Sequence, residues 1–368
     1  MFYQCPKCKN IWQYPIEKCP NCFLGLERLL TKTAEVIGIS KVNIPTLLHP
    51  KVPYFVLVLE DEKGNKRAHK SIKEYKIGEK FIPEASQDKN AVAIWRIKYD
   101  ILEAIEKVVE LLAGLEINSQ TKILILPTLI SPRHPYFAQN TNPKFLESLI
   151  SYLSNIGADK KNIKVSAQSF DETPIEVSIQ KSQLLDVCLK NQITPLDLAK
   201  GNFVKKNIGN FTFEISEEVF AADLIINSPI LKLDSKLGVR GAAENSLKFL
   251  KKESYLSLER LQIMEKLQEV LLARRSPRLA EAPAKRVGEG GPNYLTIADG
   301  LVIQKTDGLT ALWGATLASY NPLNLDRVFA EITMVKGLPE YLKKIKIEDI
   351  LIIGRKVEEL QYEIEKGQ

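Results

Sequence analysis

The first part of the chain alternates short apolar runs with turn residues. Residues 33 to about 82 contain AEVIGISKV, PYFVLVLED, RAHKSI and YKIGEKFI, with a turn at EKGNK. β-Branched and aromatic residues that alternate with polar ones, interrupted by Gly and Pro, are typical of antiparallel strands. We therefore predict a small antiparallel sheet or barrel over residues 31–84. The polar, aperiodic segment PEASQDKN then begins a predicted linker, which we place at residues 85–99.

From residue 100, helical patterns alternate with near-continuous apolar runs. Asp100 is a predicted N-cap for the helix in DILEAIEKVVELLAGL. In TNPKFLESLISYLSNIGA, Asn142 is the predicted N-cap, Pro143 the first helical residue and Gly157 the C-cap. The runs between helices are apolar on both faces: TKILILPTLI, NIKVSAQS, DLIINSPIL, YLTIADGLV, ATLASY and IEDILIIG. This alternation predicts an α/β domain over 100–355 with a mostly parallel, doubly wound sheet.

One segment interrupts the α/β pattern. ARRSPRLAEAPAKRVGEGGPN, at residues 273–293, is rich in Arg, Pro, Ala and Gly and has no hydrophobic period. We predict that it forms a surface insertion within the α/β domain.

Composition agrees with a chain of several folded domains. At 368 residues the chain exceeds one ordinary core, and 45% hydrophobic with 26% charged residues is typical of water-soluble proteins. No apolar run approaches the roughly 20 residues that cross a bilayer. The segment MFYQCPKC lacks the basic and apolar parts of a signal peptide, so we expect a cytoplasmic location and no membrane insertion. The net charge of +6 is mild, and it allows acidic ligands without requiring nucleic acid.

Four of the five cysteines lie in the first 22 residues. The spacing C-x2-C-x10-C-x2-C predicts a tetrahedral site formed by Cys5, Cys8, Cys19 and Cys22. Four thiolates leave no open position for water, so we expect a structural Zn2+ rather than a catalytic one; Fe is the competing metal. Cys188, in LLDVCLK, lies at apolar helical spacing, and we expect it to be a buried core thiol.

Residues 1–84 resemble the zinc ribbon plus OB-fold family associated with acyl-CoA enzymes, domain of unknown function 35. The ribbon is followed in order by several matching positions: Val36, Gly38, Pro53, Tyr54, Ile77 and Gly78. The resemblance implies a rubredoxin-like zinc ribbon at 1–30 and an OB-like module at 31–84. It further implies a non-catalytic partner of thiolase-type enzymes.

The rest of the chain, about 100 to 355, resembles the domain of unknown function 362. The resemblance is carried by consecutive blocks: KILILPTLIS, TNPKFLESLISYLSNIGA, ADLIINSPILK, GAAENSLKFL, YLTIADGLV and LASYNPLNLDRV. There are also departures. The first block ends in Leu126, Pro127 and Thr128 where the family has Lys-Pro-Asn, and Glu244 stands where the family has a lysine. We therefore expect a site built from the family's polar positions to be altered or lost here.

The candidate ligand-binding residues lie where these strands end or the next helices begin. They are Ser131, Thr141, Lys232, Asn245, Asp299 and Gly300, with Asp326 as a further candidate. Open α/β sheets bind ligands beyond the carboxyl ends of their strands, which favours this grouping. Each also has a structural interpretation: Thr141 as a helix cap, Asp299 with Gly300 as a turn, and Asp326 as a first-turn acid. Arg133 and His134 lie in a loop that either binds an anion or is simply exposed.

The combined prediction is an accessory or scaffold protein. Its ribbon and β module would dock an acyl-CoA enzyme of the thiolase type, while the α/β domain binds an anionic small ligand or partner. Two alternatives stay open. In one, the α/β domain is an enzyme acting on a carboxylate or thioester through Lys232 and Asp299. In the other, the ribbon binds nucleic acid, with its lysines near the phosphates. No GxGxxG, Walker, GxSxG or HExxH motif supports a more specific chemistry.

Overall fold

The two hydrophobic patterns of the sequence fold into two compact units, residues 1–84 and 85–368. The computed structural model describes residues 2–13, 16, 18–29, 34–45, 52–71, 74–81, 88–98, 100–168, 173–208, 210–235, 237–257, 260–273 and 294–366. Residues 274–293 of the predicted insertion lie outside the described residues, as do residues 85–87 and 99 of the predicted linker.

The first unit contains two small antiparallel sheets. Three short strands pair in the order β2-β1-β3, and four longer ones in the order β6-β5-β4-β7. The strands are β1 Phe2–Gln4, β2 Ile11–Trp12, β3 Glu27–Leu29, β4 Ala34–Val42, β5 Tyr54–Asp61, β6 Lys66–Ser71 and β7 Lys80–Phe81. The predicted small antiparallel sheet is therefore confirmed.

Residues of the sequence motif in this unit contact one another. The β4–β5 register shifts between Val36 and Gly38. The backbone N–H of Gly78 donates to the carbonyl of Val36 at 2.8 Å, and the N–H of Val36 donates to the carbonyl of Glu79 at 2.9 Å. The KIG turn therefore closes onto the irregular point of β4. An OB fold stays a prediction.

The second unit is built around one large sheet. In the described part of the chain, ten strands form this sheet and two more, β12 and β13, form a separate hairpin. The strands of this unit are β8 Val92–Arg96, β9 Ile123–Pro127, β10 Ile163–Ala167, β11 Pro195–Asp197, β12 Phe203–Ile208, β13 Phe211–Ser216, β14 Leu224–Ser228, β15 Ile230–Asp234, β16 Gly238–Arg240, β17 Tyr294–Gln304, β18 Thr310–Ser319 and β19 Ile352–Gly354.

Helices separate most of these strands along the chain. They are α1 Ile101–Leu111, α2 Pro143–Asn155, α3 Ile175–Lys181, α4 Leu184–Lys190, α5 Glu217–Ala221, α6 Ala242–Ser246, α7 Lys252–Ser257, α8 Arg260–Ala273, α9 Pro322–Ile332, α10 Glu340–Lys343 and α11 Val357–Lys366. The predicted N-caps are confirmed, since Asp100 accepts from the N–H of Leu102 and Asn142 from that of Lys144. The C-cap of α2 is Ile156, one residue before the predicted Gly157, which follows it with a φ of 110°.

The large sheet is mixed. Its main path is β11-β10-β9-β14-β17-β18-β8-β19, with β15 beside β17 and β16 beside β15. Strands β9, β10, β11, β14 and β17 are parallel, whereas β18 is antiparallel to both of its neighbours. A short turn joins β17 to β18, and such a turn can only produce an antiparallel pair. An α/β domain is thus confirmed, while the doubly wound parallel arrangement stays a prediction.

The sequence pattern did not predict one strand of the large sheet, at residues 92–96. These residues lie in the segment predicted as the linker, yet they form β8, which is hydrogen-bonded between β18 and β19. Val92, Ala93 and Ile94 are fully buried. The strand is only five residues long and follows directly on a polar segment, so no hydrophobic period marks it.

The sheet buries both of its faces. Adjacent residues of β9 point to opposite sides: Leu124 joins one hydrophobic core and Ile125 the other. Helices α1, α2 and α4 contribute to the second core, and α6, α8 and α9 to the first. This explains why the strands are apolar on both faces, without the alternation of a half-exposed sheet.

Candidate functional site: the carboxyl edge of the large sheet

A buried hydroxyl joins the carboxyl ends of β9 and β14. The Oγ1 of Thr141 accepts from the N–H of Thr128 at 2.8 Å and donates to the carbonyl of Ser228 at 2.7 Å. Thr141 is fully buried. The N-cap of α2 is the next residue, Asn142, so Thr141 does not act as the cap. Thr141 instead connects the two strand ends that border the predicted ligand edge.

Asn245 completes this polar network from the side of α6. Its Oδ1 accepts from the hydroxyl of Thr128 at 2.9 Å, and its Nδ2 donates to the carbonyl of Leu126 at 3.0 Å and to Oδ1 of Asn227 at 2.8 Å. The Nδ2 of Asn227 in turn donates to the hydroxyl of Tyr294 at 3.0 Å. Each side-chain amide atom has a protein partner, so the network stabilises the edge and offers a ligand little hydrogen-bonding capacity.

Sequence reasoning did not select Thr128, Asn227 or Tyr294. Thr128 stands where the resembled family has a different residue, and Tyr294 begins an apolar strand. Asn227 could have been selected from the sequence, because it is a polar residue inside the apolar run LIINSPIL. Polar groups in buried strands require partners, and those partners come from other strands and from α6.

Lys232 lies on β15 and is 4% exposed. Its Nζ donates to the backbone carbonyl of Gln139 at 3.3 Å. Burial lowers the pKa of Lys232 from 10.5 to about 8, and the carboxylate of Glu244 opposes this shift. Glu244 is itself held by Arg240, with Nη2 and Oε1 2.7 Å apart. Among the described residues, no carboxylate lies within ion-pair distance of Nζ, so a buried ammonium group has one neutral acceptor.

The acceptor of Lys232 belongs to a loop with many internal hydrogen bonds. The hydroxyl of Ser131 donates to Oε1 of Gln139 at 2.7 Å. Asn140 accepts from the N–H of Ile130 at 2.8 Å and donates to the carbonyl of Ser131 at 2.9 Å. Ser131 and Lys232 therefore both hydrogen-bond to Gln139, one to its side chain and the other to its backbone carbonyl. We call residues 131–139 the edge loop.

The outer part of the edge loop is more exposed. It contains a short 3-10 helix, Pro135–Phe137, and the exposed side chain of Tyr136. Nδ1 of His134 accepts from the N–H of Tyr136 at 3.2 Å, and the guanidinium carbon of Arg133 lies 5.7 Å from the ring centroid of Phe137. The exposed-loop interpretation therefore accounts for Arg133 and His134.

Asp299 is fully buried on β17. Its Oδ2 accepts from the N–H of Asn142 at 2.7 Å, and its Oδ1 from the N–H of Leu301 at 3.1 Å. Burial raises the pKa of Asp299 to about 6, although both hydrogen bonds oppose the shift. Asp299 thereby fastens the start of α2 to the sheet, and neither oxygen contacts Lys232.

Gly300 and Asp326 are also explained by backbone contacts. A Cβ on Gly300 would lie 2.5 Å from the carbonyl oxygen of Ala315, so this position permits no side chain. Asp326 accepts from the N–H groups of Ala242 and Ala243 at 2.7 and 2.8 Å, and thus caps α6. Burial raises the pKa of Asp326 to about 7.

The N-terminal cysteines form a separate cluster in the first unit. The sulfurs of Cys5, Cys8, Cys19 and Cys22 all lie within 4.8 Å of one another, a distance suited to holding one metal ion. Two similar turns present them: the N–H of Lys9 donates to the carbonyl of Cys5 at 3.0 Å, and that of Phe23 to the carbonyl of Cys19 at 2.8 Å. Four thiolates in a closed set fit Zn2+ or Fe. By contrast, Cys188 is buried in α4, and burial raises its pKa to about 11, as expected for a core thiol.

Within the described residues, no helix has both the length and the apolar character needed to span a membrane.

Comparison with known proteins gives a family match and several distant structural similarities, two of which are described below. The model of the family described as Domain of unknown function (DUF362) matches residues 123–331. None of the curated proteins matches the chain. Among solved structures, "Ltp2-ChsH2(DUF35) aldolase" is 23% identical, with a TM-score of 0.18, over 22% of this chain and 67% of that one. The lactate racemase apoprotein from Thermoanaerobacterium thermosaccharolyticum is 10% identical, with a TM-score of 0.40; the match covers 71% of this chain and 61% of the racemase.

Proposed function

Because the chain belongs to the family described as Domain of unknown function (DUF362), whose description assigns no activity, we propose a function from the geometry of the carboxyl edge. The α/β unit binds a small carboxylate or the anionic group of a partner at Lys232. The N-terminal unit is a zinc-stabilised module that docks a partner enzyme. The observation that carries the first part is the buried ammonium group of Lys232, whose described hydrogen bond goes to a neutral carbonyl.

The charges around Lys232 support an anionic ligand. A buried cation is stable when an anion or several hydrogen bonds compensate its lost hydration. The nearby Glu244 is held by Arg240 through three contacts of 2.9 Å or less, so its charge is already shared. A ligand carboxylate would replace the neutral Gln139 carbonyl with a charged acceptor, and such hydrogen bonds are about twice as strong as neutral ones.

Chain topology supports the same position. From β9 the chain continues through α2 to β10, its neighbour on one side, while β14, its neighbour on the other side, leads to β15 and β17. Ligands of open α/β sheets bind where successive connections diverge in this way. The edge loop makes two long hydrogen bonds to neighbouring strands: Nζ of Lys232 lies 3.3 Å from the carbonyl of Gln139, and Nε2 of Gln304 lies 3.4 Å from the carbonyl of Phe137. We expect the loop to move aside when a ligand binds at Lys232.

Lysine-selective NMR of the full chain, with acetate as the probe, tests the lysine site. The Lys232 signal is assigned by its loss in Lys232→Met. We expect its pKa, about 8 without ligand, to rise as acetate saturates the site, because a bound anion favours the protonated amine. Lys305→Met is the matched control, since Lys305 is a more exposed amine 3.7 Å from Asp307. An unchanged Lys232 pKa in saturating acetate would refute the anion site.

The docking part of the proposal concerns the cysteine turns. Closed tetrathiolate sites are structural, which supports a module that shapes a surface rather than one that performs chemistry. Phe23, beside Cys22, is 76% exposed, and Leu24 is 44% exposed. The partner class, an acyl-CoA enzyme of the thiolase type, comes from the resemblance of residues 1–84. Zinc is proposed as the metal from the donor set.

Affinity capture from the native cell, with elemental analysis of the purified protein, tests this part. We expect one equivalent of zinc and a thiolase-type enzyme identified by mass spectrometry with the wild-type chain. Phe23→Asp should lose the enzyme but keep the zinc. Capture of enzymes of another class by both proteins would refute the docking proposal, and one equivalent of iron would refute zinc.

A further inference from the structure

The antiparallel pair β15–β16 carries several charged side chains on one face. Lys232 lies directly opposite Arg240 in the register of the pair, so their Cβ atoms leave the same face about 5 Å apart. Asp234, two residues after Lys232 on β15, shares this face. Nη1 of Arg240 lies 3.7 Å from Oδ2 of Asp234, and Nη2 lies 2.7 Å from Oε1 of Glu244. Both carboxylates therefore pair with the arginine.

This arrangement leaves the amine of Lys232 with a weak partner. Its Nζ makes a hydrogen bond of 3.3 Å to the neutral carbonyl of Gln139, and no described carboxylate lies within ion-pair distance. Arg240 therefore does more than add a second cation, because it also holds the acids that would otherwise pair with the lysine. No ion pair has to break before the nitrogen of Lys232 can react.

Burial changes the protonation of the same amine. Lys232 is 4% exposed, and burial lowers its pKa to about 8. The charged neighbours act in both directions: Glu244 and Asp234 raise this pKa, whereas Arg240 and Lys248 lower it. An amine with a pKa of about 8 is about one-tenth unprotonated at pH 7, whereas an ordinary lysine is unprotonated in roughly one molecule in 2500. Only the unprotonated amine has the lone pair that attacks a carbonyl carbon.

We infer that the amine of Lys232 forms an imine with the carbonyl carbon of a 2-oxo acid. The imine rests on the proposed function, since the carboxylate of such an acid would bind at the same lysine. In a 2-oxo acid the carboxylate is bonded to the reactive carbonyl carbon, so one ligand brings both groups to Nζ. Lysines that form imines in proteins are typically desolvated or placed next to another cation, and Lys232 meets both conditions.

The step is a condensation. The nitrogen of the unprotonated amine attacks the carbonyl carbon, a C–N bond forms, and the π electrons of the C=O bond move to the oxygen. The oxygen takes one proton from the nitrogen, which gives a carbinolamine. Its hydroxyl group then leaves with the second amine proton as water, and a C=N bond remains, with no net oxidation or reduction. When the imine is protonated, the ligand carboxylate offsets its positive charge at a buried position.

Trapping with cyanoborohydride tests the imine. The full chain is incubated at pH 7 with glyoxylate as the probe, and cyanoborohydride reduces any imine to a stable secondary amine that peptide mapping by mass spectrometry locates. Lys305 is the internal control, because its amine is more exposed and lies 3.7 Å from Asp307. We expect at least about tenfold more adduct at Lys232 than at Lys305, since a larger fraction of the buried amine is unprotonated. Lys232→Met should lose this adduct and keep the background labelling of other lysines.

Two variants separate the proposed environment from a general loss of structure. Arg240→Met releases both acids to pair with Lys232 and raises the pKa of its amine, so labelling should fall about tenfold for each unit of the rise. Glu244→Gln removes a carboxylate that raises this pKa, so labelling of Lys232 should increase. Unfolding would restore an ordinary lysine and lower the labelling in both variants. Changes in opposite directions therefore support the inference.

The probe itself has a matched control. Acetaldehyde has the same reactive group as glyoxylate but no carboxylate, and we expect it to label Lys232 less. Labelling of Lys232 no greater than that of Lys305, or equal labelling by the two aldehydes, would overturn the inference. If acetate raises the pKa of Lys232 but glyoxylate is not trapped there, the imine is refuted and the anion site stands. An unchanged pKa in acetate refutes the anion site itself.

Discussion

Replacing Lys232 with methionine removes a buried amine while keeping a long unbranched side chain. In the folded chain Lys232 is 4% exposed, and its amine donates to the carbonyl of Gln139 at 3.3 Å. Burial lowers its pKa from 10.5 to about 8. The folded state therefore disfavours the protonated amine relative to the unfolded state, and the same property motivates the proposed anion site.

The shift gives both a sign and a magnitude. One pKa unit corresponds to about 1.36 kcal/mol, so the change from 10.5 to about 8 is equivalent to about 3 kcal/mol. Below pH 8 the amine is protonated in both states and the full penalty applies. Between pH 8 and 10.5 the folded protein has released the proton that the unfolded chain still binds, so the free energy of unfolding rises with pH. Lys232→Met lacks this rise.

We therefore expect Lys232→Met to be more stable than the wild type at pH 7. Its advantage should shrink by about 2 to 3 kcal/mol between pH 7 and 10. Urea unfolding of the full chain at several pH values measures the difference. A common Trp12→Phe background restricts the fluorescence to Trp95 and Trp313 of the second unit.

Lys305→Met is again the control, because its amine is more exposed and lies 3.7 Å from Asp307. The stability difference should change more with pH for Lys232→Met than for Lys305→Met, because the Lys232 side chain is the more deeply buried of the two. If the difference for Lys232→Met did not change with pH, the amine would not be desolvated in the folded state. That result would remove the physical basis of the lysine site.

Three further variants test the contacts of the carboxyl edge. Thr141→Val loses the hydrogen bonds of the hydroxyl to the N–H of Thr128 and to the carbonyl of Ser228, so urea unfolding should show a free energy of unfolding lower by about 2 kcal/mol. Thr141→Ser keeps the hydroxyl and should retain most of the wild-type stability. Gly300→Ala places a Cβ against the ring of Trp313, 2.5 Å away, and should lower the melting temperature more than a surface Gly308→Ala. Burial raises the pKa of Asp326 to about 7, so the protonated carboxyl stabilises the folded state below pH 4, and this contribution is lost as the pH rises through 7. The free energy of unfolding of Asp326→Asn, measured from pH 4 to 8, should not show this decrease. A decrease equal to that of the wild type would contradict the raised pKa of Asp326.

Local signals in the sequence were sufficient for the elements whose determinants are near one another in the chain. The cap of α2 depends on Asn142 and Pro143, and both are confirmed in place. Strand β4 coincides with the predicted run AEVIGISKV, since its alternation is carried by the strand itself. The cysteine spacing likewise anticipates sulfurs within 4.8 Å of one another, because two tight turns bring them together.

Contacts between distant segments could not be derived in this way. Thr128 lies 117 residues from Asn245, and Asn142 lies 157 residues from Asp299, yet hydrogen bonds join both pairs. The sequence placed the candidate ligand-binding residues at the carboxyl edge of the sheet only through the general rule that open α/β sheets bind ligands beyond the carboxyl ends of their strands. Whether each side chain faces a ligand or a backbone N–H depends on neighbours that the sequence does not specify.

The sequence by itself determined the cysteine cluster, the antiparallel character of the first unit, and the alternation of helices and buried strands in the second. These features follow from short-range spacing and hydrophobic period. Only the tertiary structure decided that Asp299 binds backbone and that Lys232 is left with a neutral acceptor. The physical reason is that burial and strand order set the electrostatic environment of a side chain, and both arise from residues far away along the chain.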